Sequence, residues 1–251
     1  MSANRRRYTE ALLRREVHGP RFCAPLRLSL LGSFEFSCDD RPVPIPLPAQ
    51  RLLAFLALRD HPAQRQYVAG TLWMDTSDER ALGSLRSALW SLRRYALGSV
   101  ESTSLGLRLA ADVVVDLSEA SALARRLLDP STNVELVEPD WTSLLDDVLP
   151  DWYDDWVVME RERFRQLRVY ALEAVCERRL AAGDFARAAE VALEAVRAEP
   201  LRESAHRALI RVYLAEGNRA QAVLHHESFR RLLYDRLGLE PTGEITALVG
   251  G

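Results

Sequence analysis

The 251-residue chain contains no lysine: all 33 of its basic residues are arginine. That excludes any chemistry needing a lysine amine, a phosphate-binding Walker loop above all. Cysteine is scarce. Cys23, Cys38 and Cys176 are an odd, widely spaced set, which gives neither a disulfide framework nor a metal-ligand cluster and fits a reducing cytoplasm. No apolar run reaches the ~18 residues of a membrane span, and the arginines and Glu10 of the first 16 residues do not form a signal peptide. G-x-G-x-x-G after a strand, G-x-S-x-G and H-E-x-x-H are all missing. The five histidines include the adjacent pair His225 and His226, which point about 100° apart on a helix and are poorly placed to share a metal. The paired carboxylates Asp146-Asp147 and Asp154-Asp155 have no companion base and read as a solvated face. Neither an enzyme nor a cofactor is expected.

What is present is divided unevenly. Residues 1–117 hold 16 Arg against 12 acids, a balance of +4, and residues 118–251 hold 17 Arg against 24 acids, a balance of -7. A basic half followed by an acidic half points to nucleic-acid contact by the first.

The most informative stretch is ERALGSLRSALWSLRRYAL, residues 79–97. At helical spacing Ala81, Leu82, Leu85, Ala88, Leu89, Leu92 and Ala96 fall on one face. The opposite face carries Arg80, Gly83, Ser87, Trp90, Ser91 and Arg94, with Arg86 and Arg93 on the flank, groups suited to phosphates and base edges. Thr76, Ser77 or Asp78 can cap its start, and Gly98 stops it.

In chain order, residues 1–24 read as a flexible basic arm. Residues 26–31 and 34–37 read as strands, and 43–47, with alternating prolines, as an edge strand or extended segment. Helices are expected over 49–59, opened by Pro48, and over 66–73, before the arginine helix. Residues 99–109 around Gly106, with 113–115, read as a β-hairpin or two short strands, tipped by Ser102, Thr103 and Ser104. Sheet, three helices and hairpin, with the third helix basic, is a winged helix-turn-helix layout.

A helix capped by Asp116 or Ser118 follows to about residue 128. A turn-rich break covers 129–133 and an acidic irregular stretch 135–150. A long helix is expected over 152–182, with Trp141, Trp152 and Trp156 as repeat-domain core. GDFARA at 183–188 then matches GNRAQA at 217–222, a spacing of 34 residues and the period of tetratricopeptide repeats. The expected fold class is mainly α with a small β component. It divides into a basic arm (1–24), a winged helix-turn-helix domain (25–116) and an all-α tetratricopeptide-like repeat domain (117–251).

LRLSLLGSFEF, PAQRLLAFLAL, YVAGTLW and SLRSALWSLRRYAL in the first half together resemble the Streptomyces antibiotic regulatory protein family of transcriptional activators. WYDDWVVMERERFRQLRVYALE, PLRESAHRALIRVYLAEGNRAQAV and LGLEPT carry the resemblance through the second half. These activators join an OmpR-type winged helix to a bacterial transcriptional activator domain. The resemblance implies a cytoplasmic, nucleoid-associated regulator of a secondary-metabolite or neighbouring gene cluster. Such a regulator binds double-stranded promoter DNA, as a homodimer on direct repeats, and recruits RNA polymerase through its sigma factor or core subunits. Within that resemblance the chain would be the short form, without a nucleotide-binding module. Mapped onto this chain, Ser84, Arg86, Ser87, Trp90, Ser91, Arg93 and Arg94 would read DNA, and Ser102, Thr103 and Ser104 would form the wing tip. Gln50 and Arg51 would hold a phosphate at a helix start. Trp90 is bulky for a DNA-facing position, and Arg108 is the wing's nearest arginine. The rival reading is a protein-interaction scaffold of helical repeats whose winged helix does not bind DNA.

Overall fold

The computed structural model describes residues 25–129 and 141–250. The arm at 1–24, with His18 and Cys23, lies outside the described residues, as do residues 130–140 of the turn-rich break expected over 129–133 and the acidic stretch over 135–150. The chain forms two compact units: Met1–Glu119 with Val148–Glu160, and Ala120–Asp147 with Arg161–Gly251. The first therefore takes in a short segment, 148–160, from the middle of the region expected to be wholly repeat domain.

In the first unit β1 (Leu26–Ser29) alternates buried and outward residues, and β2 (Glu35–Cys38) pairs with it antiparallel, Leu28 opposite Phe36. Asp39 and Asp40 both adopt positive φ, 56° and 55°, as a tight two-residue hairpin turn requires. They lead to the short edge strand β3 (Arg41–Pro42). Residues 43–46 do not continue it as strand: they run irregularly, with Pro44 and Pro46 unable to donate to a ladder, into α1 (Leu47–Ala57), which has Pro48 in its first turn. α2 (Arg65–Leu72) and α3 (Asp78–Tyr95) follow. Their buried faces meet over Leu52, Leu53, Phe55, Val68, Leu72 and Leu85.

β4 (Val100–Thr103) and β5 (Gly106–Leu109) form an antiparallel hairpin. β6 (Val113–Val115) is no part of it. It pairs parallel with β1, Leu26 opposite Val113, completing a four-stranded sheet of order β3-β2-β1-β6. The junction to α4 (Asp116–Leu128) is held by one carboxylate. Asp116 accepts from the N–H groups of Leu30 (2.8 Å), Leu31 (3.2 Å) and Leu117 (2.6 Å). Burial nonetheless raises this carboxyl above its usual range, against the lowering effect of those three donors.

Segment 148–160 closes the first unit. The Leu149 N–H donates to Leu30 O at 2.8 Å, and Leu31 bridges Val148. Trp152 stacks on Phe34 with centroids 5.8 Å apart, and Trp156 meets the Phe55 ring edge-on at 5.3 Å. The two tryptophans expected in the repeat core thus pack, half-buried, against Phe34 and Phe55 of the first unit. Asp154, expected on a solvated face, is paired with Arg51.

In the second unit α5 (Asp155–Ala181), which starts in the first, leads to α6 (Phe185–Ala198), α7 (Glu203–Ala215), α8 (Arg219–Leu237) and α9 (Gly243–Gly250). The two matched motifs behave alike. Gly183 and Gly217 adopt positive φ, 75° and 84°, and the side chains of Asp184 and Asn218 cap α6 and α8. Small buried residues, among them Ala188, Ala192, Ala195, Ala205 and Ala222, let these helices approach closely. Ile210, Phe229, Leu233 and Ile245 form a core joining α7, α8 and α9. Arg168 is buried at 4% exposure; it donates to Asp146 O (2.8 Å) and pairs with Asp147 at 2.6 Å. Among the described residues no helix is long and apolar enough to cross a membrane, and no group of three or more potential ligands could hold a metal ion.

Candidate nucleic-acid interface

α3 is polarised along its length and across its faces. Asp78 and Glu79 occupy its first turn, Arg93 and Arg94 its last, in the sense that favours the helix dipole. Ser77 occupies the N-cap without a side-chain cap bond, Ala96 the C-cap, and Gly98 follows at φ 88°. Ala81, Leu85, Ala88 and Leu92 are buried, fixing which face remains outside. On that outer side Arg86, Ser87, Trp90, Arg93 and Arg94 are exposed, and Ser84 and Ser91 half-buried.

The hydroxyls of Ser87 and Ser91 donate to the carbonyls one turn back, Gly83 O (3.2 Å) and Ser87 O (3.1 Å). Each donor is thereby used, and what the side chain presents outward is an acceptor. Trp90 is 60% exposed. Its ring lies 5.5 Å from the Arg94 guanidinium, which is equally close to the Tyr95 ring. Cation–π attraction thus restricts Arg94 on the surface, giving the bulky Trp90 a use that its polarity alone does not reveal.

The hairpin is fastened to the turn before α2. Ala63 and Leu107 exchange both backbone hydrogen bonds at 2.8 Å. The approach is close enough that a Cβ on Gly106 would stand 2.1 Å from Ala63 O, and Gly106 has φ 141°. Ser102, Thr103 and Ser104 are exposed at the end of the hairpin. Thr103 Oγ1 closes the turn by accepting from the Leu105 N–H, and Ser102 Oγ accepts from Arg65 at 2.7 Å. Arg108, the wing's expected cation, is paired with Glu101 at 2.6 Å.

The sequence-expected residues therefore separate into two groups. Those of α3 and the hairpin lie outside the core, exposed or half-buried, and Arg93 and Ser102 line one cavity. Gln50 and Arg51 are half-buried and engaged: Gln50 donates to Ile45 O at 2.8 Å, and Arg51 pairs with Asp154. Arg65, Arg86, Arg93 and Arg94 make no ion pair among the described residues, whereas in the second unit Arg165, Arg168, Arg202, Arg207 and Arg230 all do. Sequence reading missed Arg65, which carries no signal beyond its charge, and Gly106 as the anchor. The positive-φ demand of a hairpin could have singled out Gly106.

A basic helix presented beside a fastened wing, followed in the chain by paired antiparallel helices of 34-residue period, defines a winged helix-turn-helix protein with a tetratricopeptide-like domain. Residues 111–250 match the family model of the bacterial transcriptional activator domain. The chain belongs to this family of transcriptional regulators, the Streptomyces antibiotic regulatory protein type of activator. It is 28% identical over 229 residues to the regulatory protein AfsR of Streptomyces coelicolor, covering 86% of this chain and 23% of that one. With AfsR of Streptomyces griseus it shares 27% over 241 residues, 89% of this chain and 24% of the other. It thus spans about a quarter of the length of these relatives. The fold is also that of Mycobacterium tuberculosis EmbR, solved in complex with a low affinity phosphopeptide. The TM-score is 0.73 at 22% identity, over 90% of this chain and 64% of that one.

Proposed function

We propose that the chain is a sequence-specific activator that binds double-stranded promoter DNA through α3 and the β4–β5 hairpin and recruits RNA polymerase through its helical repeats. The observation that carries this reading is the exposure of Arg65, Arg86, Arg93 and Arg94, on and beside α3, which make no ion pair among the described residues. Unpaired guanidiniums retain their full attraction for phosphate, and a guanidinium reaching a base edge bonds guanine O6 and N7 as a pair. In this reading α3 lies in the major groove, with Arg86, Arg93 and Arg94 as its principal cations and Ser84, Ser87 and Ser91 as its short polar groups. Ser102, Thr103 and Ser104 meet the adjacent backbone. Gln50 and Arg51 act from behind, bracing the start of α1. Residues 25–116 are assigned as the DNA-binding domain and 117–251 as the activator domain, with 148–160 supporting the former. The regulator works in the cytoplasm, on the nucleoid, as a homodimer on repeated half-sites near a secondary-metabolite or neighbouring gene cluster.

The test is retention of genomic fragments, the chain's own upstream region included, as a function of salt. The expected result is a protected site whose log affinity falls linearly and steeply with log salt. No fragment retained at low salt would replace this reading with a repeat scaffold whose winged helix does not bind DNA.

A further inference from the structure

The end of α3, the first strand of the hairpin and the first residue of α2 enclose a cavity of about 100 Å³. Arg65, Arg93, Ser99 and Ser102 supply its polar lining, Leu92 and Val100 part of its apolar wall, and no carboxylate lines it. Its two cations come from different helices, and neither makes an ion pair among the described residues. Arg65 is oriented by its hydrogen bond to Ser102 Oγ, 2.7 Å, which uses one of five guanidinium N–H donors. Ser99, at 0% exposure, lines the cavity, and its Oγ has no hydrogen-bond partner among the described residues. A buried hydroxyl left unmatched is costly and rare in a folded protein. Two cations, two hydroxyls and no acid lining one cavity are the donor set for a small oxyanion.

We propose that this cavity holds one phosphate group, a backbone phosphodiester when duplex is bound, clamped by Arg65 and Arg93 with the Ser102 hydroxyl. The clamp rests on the DNA-binding reading above. Because it joins α2, α3 and the hairpin through one phosphate, it sets the register at which α3 meets the base edges. Inorganic phosphate carries the same chemistry and is the other source of the ligand.

The experiment uses the full chain as wild type, Arg65→Gln, Arg65→Lys and Ser102→Ala, with thermal midpoints measured to verify folding. Each is titrated with the protected duplex carrying a single neutral methylphosphonate, moved one position at a time. A clamp predicts one position at which neutralisation weakens the wild type about tenfold and leaves Arg65→Gln without further loss, with Arg65→Lys between the two. It also predicts a salt slope for Arg65→Gln shallower by about 0.9. If Arg65→Gln and Ser102→Ala weaken binding alike, with unchanged slope and no coupled phosphate, Arg65 only braces the hairpin. The clamp is then overturned while DNA binding stands. If the wild type binds no duplex at low salt, the DNA reading itself fails. Inorganic phosphate then decides: saturable amide shifts at Ser99 and Ser102, lost in Arg65→Gln, support the site, and their absence removes it.

Discussion

Arg51 and Asp154, 103 residues apart in the chain, form an ion pair inside the first unit. Each side chain is 25% exposed, so the pair is partly shielded from water and stronger than a surface pair. It is flanked by Trp156 against Phe55 and Trp152 against Phe34. A segment reached only after α4 is therefore part of what stabilises the winged helix.

The first prediction concerns that segment. Trp156→Ala should destabilise the first unit by about 2 kcal/mol, less than a fully buried aromatic because the indole is half-buried. Asp154→Asn should cost about 1 kcal/mol. Thermal melts of the full chain check both. A fragment ending at residue 116 should melt below the same unit in the intact chain.

On α3, single alanine variants of Arg86, Arg93 and Arg94 should divide by role. One that holds phosphate should weaken all sequences together and flatten the salt slope by about 0.9. One that reads a base should lose about 1–3 kcal/mol on the preferred site only. The triple variant should lose specific binding altogether, by gel shift at low salt. Unchanged affinity in that variant would remove α3 from the interface.

Gly106→Ala should be among the most damaging single-atom additions in the first unit. Its φ of 141° is strained for any L side chain, and the added carbon would collide with Ala63 O, a backbone atom with no freedom to swing away. A loss of about 2 kcal/mol or more is expected, together with weakened DNA binding through displacement of the hairpin. Amide hydrogen exchange at Ala63 and Leu107 should rise in step.

Acid should loosen the helical repeats through His206. Its Nε2 lies 2.9 Å from Pro200 O, which can only accept, so Nε2 carries the proton. Nδ1 then accepts from His225 Nε2, also at 2.9 Å, and the ring stacks on Phe229. Burial in the first place lowers its pKa to about 4, with the nearby His225 adding to the effect against Pro200 and Glu203. The unfolded chain, with its histidines near 6.5, binds the extra proton first. The stability from a neutral His206 is thus complete above pH 6.5 and is lost as pH falls towards 4, by about 3 kcal/mol. Urea midpoints between pH 4 and 7 should show this slope, and His206→Phe should flatten it.

Much of this molecule was legible from local pattern. The apolar period of α3 gave its buried face, and Gly183-Asp184 with Gly217-Asn218 gave two helix boundaries and the 34-residue repeat. The exposed arginines, Ser87 and Trp90 of α3 came with them, because a helix's outer face follows once its inner face is known. These features depend on residues within a turn or two of one another, where spacing alone sets direction.

What only the tertiary structure decided lies between residues far apart in sequence. The Val113–Val115 strand looks like any short β segment; its parallel pairing with β1 depends on where the intervening helices deliver it. Trp152 and Trp156 are apolar enough for either unit, and only the fold chooses Phe34 and Phe55 as their partners. Arg51, Arg108 and Arg93 are the same charge in the sequence. Asp154 and Glu101 engage the first two, while Arg93 makes no ion pair among the described residues and lines a cavity with Arg65 and Ser102, because which charges meet a counterion depends on where the packing delivers distant residues.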